Sequence, residues 1–315
     1  MADPAADDGA VLARLTANLD RVLIGKRKAI RTLLTGLLGG GHVLIEDLPG
    51  MGKTVLARAL ARSISGAFRR VQFTPDLLPS DVLGVSIYDA DKKAFVFRPG
   101  PVFTNVLLAD EINRTTPKTQ ACLLECMAEQ QVSVDGKTYT LPPPFFVVAT
   151  QNPLDSQGCY PLPEAQLDRF LVKVHIGYPT AEHERQMLED QEVTHPLESL
   201  EPVCTREALA AMLEAVRRVR VARELLDHVV AVAEATRAHK DVHVGASPRA
   251  SLALRRAAQA AALLSGRDYV IPDDIKEVLV PVLGHRILLR HQAAIEGRTT
   301  ESLLKAVSGA LPLPE

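Results

Sequence analysis

A glycine-bearing loop between a short apolar run and a helical segment constrains this chain more than any other feature. The apolar run is Val43-Leu44-Ile45, the loop reads Glu-Asp-Leu-Pro-Gly-Met-Gly-Lys-Thr over residues 46–54, and an alanine-rich stretch follows. A strand that feeds such a loop into a helix is typical of a phosphate-binding P-loop, because backbone N–H groups at the helix start point at phosphate oxygens. The pattern predicts an α/β protein that binds a nucleotide.

Within this loop, Lys53 is expected to contact the β and γ phosphates and the Thr54 hydroxyl to bind Mg²⁺. The strict pattern has glycine where Asp47 stands, but aspartate tolerates left-handed backbone angles, so we expect the turn to form. An ordinary strand–turn–helix is the alternative unless a second element supports the P-loop. The residues expected to hold the nucleotide are Asp47, Pro49, Gly50, Met51, Gly52, Lys53, Thr54 and Val55.

The second element is the run Val106-Leu107-Leu108-Ala109, which is followed by Asp110 and Glu111. The run is typical of a buried strand that delivers two carboxylates at its carboxyl end, where open α/β sheets bind ligands. Asp110 is then expected to hold Mg²⁺ and Glu111 to polarise the attacking water. Four apolar residues and two acids are a weak signal alone, but combined with the P-loop they predict nucleotide hydrolysis.

Composition excludes several classes of protein. The 315 residues allow about two domains, and 36 basic residues nearly balance 38 acidic ones. Without a basic excess, nucleic acid is not a favoured partner. No apolar run approaches the ~20 residues of a membrane helix, so no membrane insertion is expected. The acidic residues 1–10 lack the features of a signal peptide and are expected to form a disordered tail. Without a signal peptide or a membrane helix, the cytoplasm is the expected location.

Apolar runs alternate with helical segments along the first part of the chain, which predicts a parallel sheet covered on both faces. Five strands are predicted, at residues 43–45, 70–73, 106–109, 145–150 and 171–176. Two hairpins are predicted as well, one within an inserted segment at about 74–104 and one at 131–141, where Asp135-Gly136 separates two alternating runs. The composition becomes helical near residue 198, so we expect a core at 11–198 and an all-helical domain at 199–315.

Two polar residues at predicted strand ends have two interpretations each. Asn152 follows the strand at 145–150 and either forms a turn with Pro153 or senses the γ-phosphate and the attacking water. Arg169 precedes the strand at 171–176. It is either a surface residue paired with Asp168 or an arginine finger that enters a neighbouring subunit's nucleotide site, and the sequence does not separate these.

Two further arginines are candidates for anion binding. Ser247 and Pro248 are typical of a helix start, so Arg249 falls on the first turn, where a cation opposes the helix dipole. That cost is easier to understand if Arg249 faces an anion such as a γ-phosphate held between the two domains. Arg114, three residues after Glu111, is either an interface arginine or a solvated residue.

These elements, taken in order, resemble the AAA+ ATPases. More closely, the stretches at 46–54, Ala-Asp-Glu-Ile-Asn-Arg at 109–114, Ala-Thr-Gln-Asn-Pro at 149–153 and Leu-Pro-Glu-Ala-Gln-Leu-Asp-Arg-Phe at 162–170 resemble the MoxR family, over roughly residues 20–290. The family shares the departure at Asp47. The resemblance implies an αβα core with a helical lid, ATP and Mg²⁺ as ligands, and adenine packed on Ile24-Gly25. It places the two hairpins as the helix-2 insert and the hairpin before sensor 1.

The resemblance also implies a ring, usually a hexamer, in which Arg169 acts on the adjacent protomer's ATP. Relatives remodel or activate other proteins, often with a partner that has a von Willebrand factor A domain. We therefore expect a ring-forming Mg²⁺-dependent ATPase that acts on a client protein. A nucleotide-gated assembly switch with slow turnover is the alternative. A nucleic-acid motor is less favoured, since no helix-turn-helix is evident.

Overall fold

The central element is a parallel sheet whose strands come from widely separated parts of the chain. The computed structural model describes residues 4–153, 158–190, 192 and 195–312, with the backbone alone for residues 4–7. The strands are β1 (His42–Glu46), β2 (Phe68–Gln72), β3 (Gly84–Asp89), β4 (Ala94–Pro99), β5 (Val106–Asp110), β6 (Gln131–Val134), β7 (Lys137–Thr140), β8 (Phe146–Gln151), β9 (Phe170–Val174), β10 (Val242–Val244) and β11 (Leu288–Leu289).

The helices cover the faces of this sheet and form the second half of the chain. They are α1 (Pro4–Val22), α2 (Arg27–Leu38), α3 (Lys53–Ser63), α4 (Pro79–Leu83), α5 (Pro117–Glu129), α6 (Glu164–Leu167), α7 (Ala181–Asp190), α8 (Arg206–Arg218), α9 (Arg223–Ala238), α10 (Pro248–Leu264), α11 (Pro272–Leu283), α12 (His291–Ile295) and α13 (Thr300–Ala310). Short 3-10 helices lie at Ile112–Arg114 and Pro196–Ser199.

The five predicted strands form one sheet in the order β2-β5-β8-β1-β9, and every neighbouring pair is parallel. The strand ends lie within two residues of the predicted ones. The central strands β5 and β8 are buried along almost their whole length, as their continuous apolar character predicts. Because β5 and β8 are adjacent, with Ala109 opposite Ala149, their polar C-terminal residues meet at one edge of the sheet.

Two apolar clusters lie on the two faces of the sheet. The first joins α1, α2 and α3 to the sheet and to the helices α8, α9, α10 and α11. The second packs α5 and the inserted segment against the opposite face. The C-terminal helices therefore share a continuous apolar core with the sheet, and burial of this kind is the main stabilising contribution to the fold.

Both predicted hairpins are present. The strands β3 and β4 pair antiparallel, and so do β6 and β7. At the tip of the second hairpin, Asp135 and Gly136 have φ values of 52° and 73°, the left-handed angles that a two-residue hairpin turn requires. The hairpins contact each other, since the rings of Phe97 and Tyr139 stack with centroids 4.1 Å apart.

The expectation of a disordered tail over residues 1–10 is wrong for the part that the structure describes, because α1 begins at Pro4. Residues 1–3 lie outside the described residues. The physical reason is that Leu12, Leu15 and Leu19 of α1 are buried in the first apolar cluster. Burial of this stripe stabilises the helix, since most helical stability in proteins comes from packing of an apolar face.

The C-terminal region after residue 198 is helical, apart from the short antiparallel pair formed by β10 and β11. Ser247 caps α10 as predicted, since its hydroxyl accepts a hydrogen bond of 3.1 Å from the Ala250 N–H. All four cysteines are free. Burial raises the pKa of the Cys126 thiol to about 12, so this side chain is an unreactive part of the core. Among the described residues, no helix combines the length and the apolar character needed to cross a membrane.

Candidate nucleotide-binding site

The predicted P-loop connects β1 to α3. Gly50 and Gly52 have φ values of 84° and 82°, and Gly52 is the residue that precedes the first turn of α3. Such angles are readily adopted by glycine, and the geometry directs the first N–H groups of α3 into the loop. Lys53 donates a 2.6 Å hydrogen bond to the carbonyl of Asp47, which holds its ammonium group over the loop.

Asp47 has a different role from the one that its position in the motif suggests. It is absent from the residues with positive φ, so the left-handed tolerance of aspartate is not used. Instead its carboxylate accepts hydrogen bonds from the backbone N–H groups of Ile176 and Gly177, the latter at 3.3 Å. Asp47 thus ties the chain after β1 to the chain after β9, beside the P-loop.

Asp110 and its surroundings form the second half of the site. The Thr150 hydroxyl donates to Asp110 Oδ1 at 2.6 Å and accepts from the Glu111 N–H at 2.9 Å. Arg70, on the neighbouring strand β2, donates to Asp110 Oδ2 with Nε at 3.1 Å and Nη2 at 2.7 Å. Asp110 is itself buried. These contacts fix the orientation of the Asp110 carboxylate. A metal ion that binds Asp110 Oδ2 would have to displace the Arg70 guanidinium group.

Glu111 has left-handed backbone angles, with φ 57° and ψ 50°. Such angles are uncommon outside glycine and tend to occur at functional sites, where the surrounding structure holds them. The Glu111 carboxylate accepts a 2.7 Å hydrogen bond from the Gln72 amide and lies 3.2 Å from Arg114. Arg114 therefore pairs within its own chain, which neither of the two interpretations from the sequence had included.

One cavity of about 370 Å³ brings these residues together. Its lining comprises Pro49, Gly50, Gly52, Lys53, Thr54, Val55, Arg70, Gln72, Asp110 and Glu111. The Thr54 hydroxyl and the Asp110 carboxylate are hard oxygen ligands of the kind that Mg²⁺ prefers, and both line this cavity. The residues present therefore fit a Mg²⁺-bound triphosphate. Met51 does not line the cavity; it packs against the first apolar cluster.

Asn152 is buried at the carboxyl end of β8, next to the end of β5, as the sequence predicted. The Ile24-Gly25 turn is close to the P-loop, because Leu23, the residue before this turn, reaches Gly52. A Cβ atom built on Gly52 would lie 2.9 Å from Leu23 Cδ1. The Ile24 side chain itself lines a separate cavity beside α7. Gly25 has a φ of 72°, and the His183 ring occupies the space that a Cβ would need.

Arg169 and Arg249 lie at the opposite edge of the sheet from the P-loop. The P-loop follows the carboxyl end of β1, whereas Arg169 precedes the first residue of β9, and these strands are parallel neighbours. Five-residue strands are about 16 Å long, so Arg169 and the P-loop are separated by roughly that distance. Arg249 is with Arg169, because its Nε lies 3.9 Å from Asp168 Oδ2.

A second cavity, of about 430 Å³, is lined by Arg169, Arg249, Asp168, Arg217, Arg256 and Arg286 among others. Within the described part of the chain, its lining and that of the P-loop cavity have no residue in common. Arg249 therefore lies away from the P-loop of its own chain, and its contact with a γ-phosphate held between the two domains stays a prediction. The reason is the way the lid packs: α11 lies against β9, and α10 lies against α11. This packing places the first turn of α10 near the amino ends of the strands.

Sequence reasoning missed four residues around these sites: Arg70, Gln72, Thr150 and Arg286. Arg70 and Gln72 lie on a strand that alternates exposed side chains with buried Val71, so they resemble an ordinary solvated face. Thr150 is the polar end of an apolar strand and could have been noticed. Arg286 is buried and follows no periodic pattern, so nothing in the sequence marks it.

Comparison with known families agrees with this geometry. Residues 42–172 match the model of the ATPase family associated with various cellular activities (AAA), and residues 234–307 match the AAA lid domain. These ranges contain the P-loop with Asp110-Glu111, and most of the C-terminal helices, respectively. The fold is thus an AAA+ core followed by a helical lid, as predicted.

Similar proteins are known over nearly the full length. The chain is 50% identical over 304 residues to the uncharacterized protein YeaC of Bacillus subtilis (strain 168), covering 96% of this chain and 95% of YeaC. It is 42% identical to Chaperone MoxR1 of Mycobacterium tuberculosis (strain ATCC 25618 / H37Rv), covering 96% of this chain and 82% of that protein. Protein MoxR of Paracoccus denitrificans is 33% identical, with 95% of both chains covered.

The crystal structure of an ATPase candidate from Cytophaga hutchinsonii superposes with a TM-score of 0.92 at 36% identity, covering 99% of this chain and 97% of that one. The fold, the P-loop with its acidic pair and these relatives all lead to one assignment. The chain belongs to the MoxR family of AAA+ ATPases.

Proposed function

We propose that the protein is a ring-forming, Mg²⁺-dependent ATPase that uses hydrolysis to remodel or activate a client protein. The observation that carries this proposal is the separation of the site into two halves. The P-loop cavity lies at the carboxyl edge of the sheet, and Arg169 and Arg249 lie at the amino edge. Neither arginine lines the P-loop cavity of its own chain, which supports a site that a second chain completes.

The residues of the P-loop cavity have these proposed roles. The N–H groups at the start of α3 and Lys53 bind the phosphates of ATP. Thr54 and Asp110 hold Mg²⁺, which when bound neutralises charge on the phosphate oxygens. Glu111 accepts the proton of the attacking water, and Asn152 orients that water from the neighbouring strand end.

Across the interface, Arg169 and Arg249 are proposed to contact the γ-phosphate of the adjacent protomer. Two guanidinium groups on one cavity suit a triphosphate, because arginine binds phosphate with paired hydrogen bonds. An arginine supplied from a neighbour typically contributes ~10³–10⁵ in rate. A ring satisfies this requirement at every site, since a head-to-tail interface closes on itself, and we propose six subunits by similarity to the family.

The client and the partner are proposed from the family and from one surface. One of the relatives is named a chaperone. The β3–β4 hairpin exposes Tyr88 and Phe95 to 56% and 72%, which suits contact with an apolar segment of a client. A partner with a von Willebrand factor A domain and a cytoplasmic location remain part of this proposal, with a core at 11–198 and a lid at 199–315.

A nucleotide-gated switch with slow turnover is a second candidate, favoured by one observation. Both acidic residues of the site have partners within the chain, Asp110 with Arg70 and Glu111 with Gln72 and Arg114. These contacts have to break before Asp110 can bind Mg²⁺ and Glu111 can act on water, and a partner that breaks them would control turnover. Slow hydrolysis combined with nucleotide-dependent assembly would favour the switch.

The first experiment is ATP turnover per chain over a wide range of protein concentration, with Glu111→Gln as the blank. A rise that saturates supports sites completed by a neighbour. Lys53→Ala should weaken nucleotide binding, whereas Arg169→Ala should bind ATP normally and turn over slowly. Mixing Arg169→Ala with Lys53→Ala chains should restore turnover, because each supplies what the other lacks. Normal turnover by Arg169→Ala alone would contradict the proposal.

A further inference from the structure

We infer that Arg286, on the lid, is a positioning residue that sets the geometry of both Arg169 and Arg249 for the neighbouring protomer's site. The inference rests on the proposed function, since it concerns the half of the site that a neighbour would use. It goes beyond that proposal by naming the connection through which the lid controls this half.

Arg286 uses every N–H of its guanidinium group. Nε donates to Asp168 Oδ1 at 2.6 Å, and Nη2 donates to the carbonyls of Asp168 and Phe170 at 3.2 and 2.6 Å. Nη1 donates to the carbonyls of Leu171, at 3.0 Å, and Val282. Four of these five acceptors belong to the segment 168–171, and the side chain is only 3% exposed. A planar group with five bonds allows this segment little freedom.

The backbone at Arg169 is fixed, because the carbonyls of its two neighbours, Asp168 and Phe170, accept hydrogen bonds from Arg286. His285 adds a third bond, since its Nε2 lies 3.0 Å from the Phe170 carbonyl. Burial and the neighbouring Arg286 charge keep the pKa of His285 well below its usual value, so the ring is neutral. The side chain of Arg169 is directed by one further hydrogen bond, to the Leu124 carbonyl at 2.5 Å.

Arg249 is connected to the same residue through Asp168. The two carboxylate oxygens of Asp168 are divided between the arginines, with Oδ1 at 2.6 Å from Arg286 and Oδ2 at 3.9 Å from Arg249. Arg249 is 56% exposed in its side chain and Arg286 is buried, so the first is free to meet a ligand and the second is not. A movement of the lid that displaces Arg286 would therefore displace Arg169 and Arg249 together.

Stability alone is a poor explanation of this arrangement. Burying a guanidinium group has a large desolvation cost, and apolar residues of similar volume are often as stabilising as a buried ion pair. Arg286 also lies where the lid meets the sheet, since it follows α11 and binds the start of β9. A rigid, fully bonded group at this junction is well suited to maintaining an orientation.

The test compares Arg286→Lys with a matched control, Arg267→Lys. Arg267 also forms a short two-point pair with a buried carboxylate, Asp274, at 2.6 and 2.7 Å, but entirely within the lid. Lysine keeps the charge and cannot make the forked contacts. We expect Arg286→Lys to lower turnover by about tenfold or more, since ~1 Å misplacement can cost 10²-fold, while ATP affinity stays within about twofold. Arg267→Lys should keep normal turnover.

Mixing separates positioning from folding. Arg286→Lys chains have an intact P-loop, so adding Lys53→Ala chains, whose arginines are intact, should restore turnover. Unchanged turnover by Arg286→Lys, or a loss that mixing does not restore, overturns the inference. If Arg286→Lys does not fold, Asp168→Asn tests the same connection. We expect slow turnover that is restored by mixing with Lys53→Ala chains, and normal turnover would overturn the inference. Normal turnover by Arg169→Ala would instead mark failure of the proposed function itself.

Discussion

The Arg70 guanidinium and the Asp110 carboxylate form an ion pair of 2.7 Å inside the P-loop cavity, where the acid that is expected to bind Mg²⁺ meets a cation of its own chain. The pair exists because β2 and β5 are parallel neighbours with Gln72 opposite Asp110. Arg70 also donates a 2.7 Å hydrogen bond to the Gln72 side chain, which in turn binds Glu111. A single network therefore connects both acids.

Arg70→Gln should lower the free Mg²⁺ concentration needed for half-maximal turnover. The guanidinium charge competes with the metal for Asp110, and because its side chain is 48% exposed the effect should be modest, about two- to fivefold. The measurement is ATP turnover against free Mg²⁺. Arg69→Gln is the matched control, since adjacent strand residues point to opposite faces. An unchanged or higher Mg²⁺ requirement would show that Arg70 does not compete with the metal.

Thr150→Val should reduce turnover by about tenfold or more while nucleotide binding persists. The hydroxyl joins Asp110 Oδ1 to the Glu111 N–H, and valine has the same shape without it. Loss of the hydroxyl also leaves the Glu111 N–H without its acceptor, which costs about 1–3 kcal/mol of stability. Steady-state kinetics together with urea unfolding would measure both effects. Thr150→Ser keeps the hydroxyl and should retain most activity, so equal defects in the two variants would count against this role.

Asp47→Gly restores the strict P-loop pattern and should nevertheless destabilise the protein. The carboxylate accepts hydrogen bonds from the N–H groups of Ile176 and Gly177, and bonds to a charged group contribute about 1.5–3 kcal/mol. Glycine removes the acceptor and adds flexibility to the unfolded chain. Urea unfolding would report the change, and Asp47→Asn, which keeps one acceptor, should be less affected. A more stable glycine variant would refute this assignment.

His42 should make the protein less stable in mild acid. Its Nε2 lies 3.0 Å from the Met127 carbonyl and its Nδ1 accepts from the Val147 N–H, and burial lowers its pKa from 6.5 to about 4. The unfolded chain binds a proton at His42 below pH 6.5 and the folded chain does not until about pH 4. The contribution of His42 is therefore complete above pH 6.5 and is lost as the pH falls towards 4, by up to about 3 kcal/mol.

The free energy of unfolding, measured in urea between pH 7.5 and about 4, would check this. His42→Gln should flatten the decline on the acid side, although its stability at neutral pH is lower. The buried His285, whose pKa is also lowered, should leave part of the slope in place. His291→Gln, at an exposed position, serves as the control and should keep the full decline. An identical slope in His42→Gln would mean that burial does not lower the pKa of His42 in the folded chain.

Local sequence was sufficient for those parts of the site that follow one strand directly. The P-loop after β1, the Asp110-Glu111 pair after β5 and the Asn152 position after β8 are each specified by an apolar run and the few residues beyond it. The hairpin with Asp135-Gly136 was predictable for the same reason, since its turn needs particular residues. No local pattern marks Arg70, whose charge looks like part of a solvated face, or Arg286, which is a single buried charge.

The five strands of the sheet, the phosphate-binding loop, the acidic pair and the family can be recognised from the sequence, because each depends on residues that are adjacent in the chain. The three-dimensional packing is needed to see that Arg70 lies on Asp110, that Thr150 joins Asp110 to Glu111, and that Arg249 lies with Arg169. Those relationships depend on the strand order β2-β5-β8-β1-β9 and on how the lid packs against β9. Both are set by burial of apolar faces over the whole molecule, an energy that no short stretch of residues encodes.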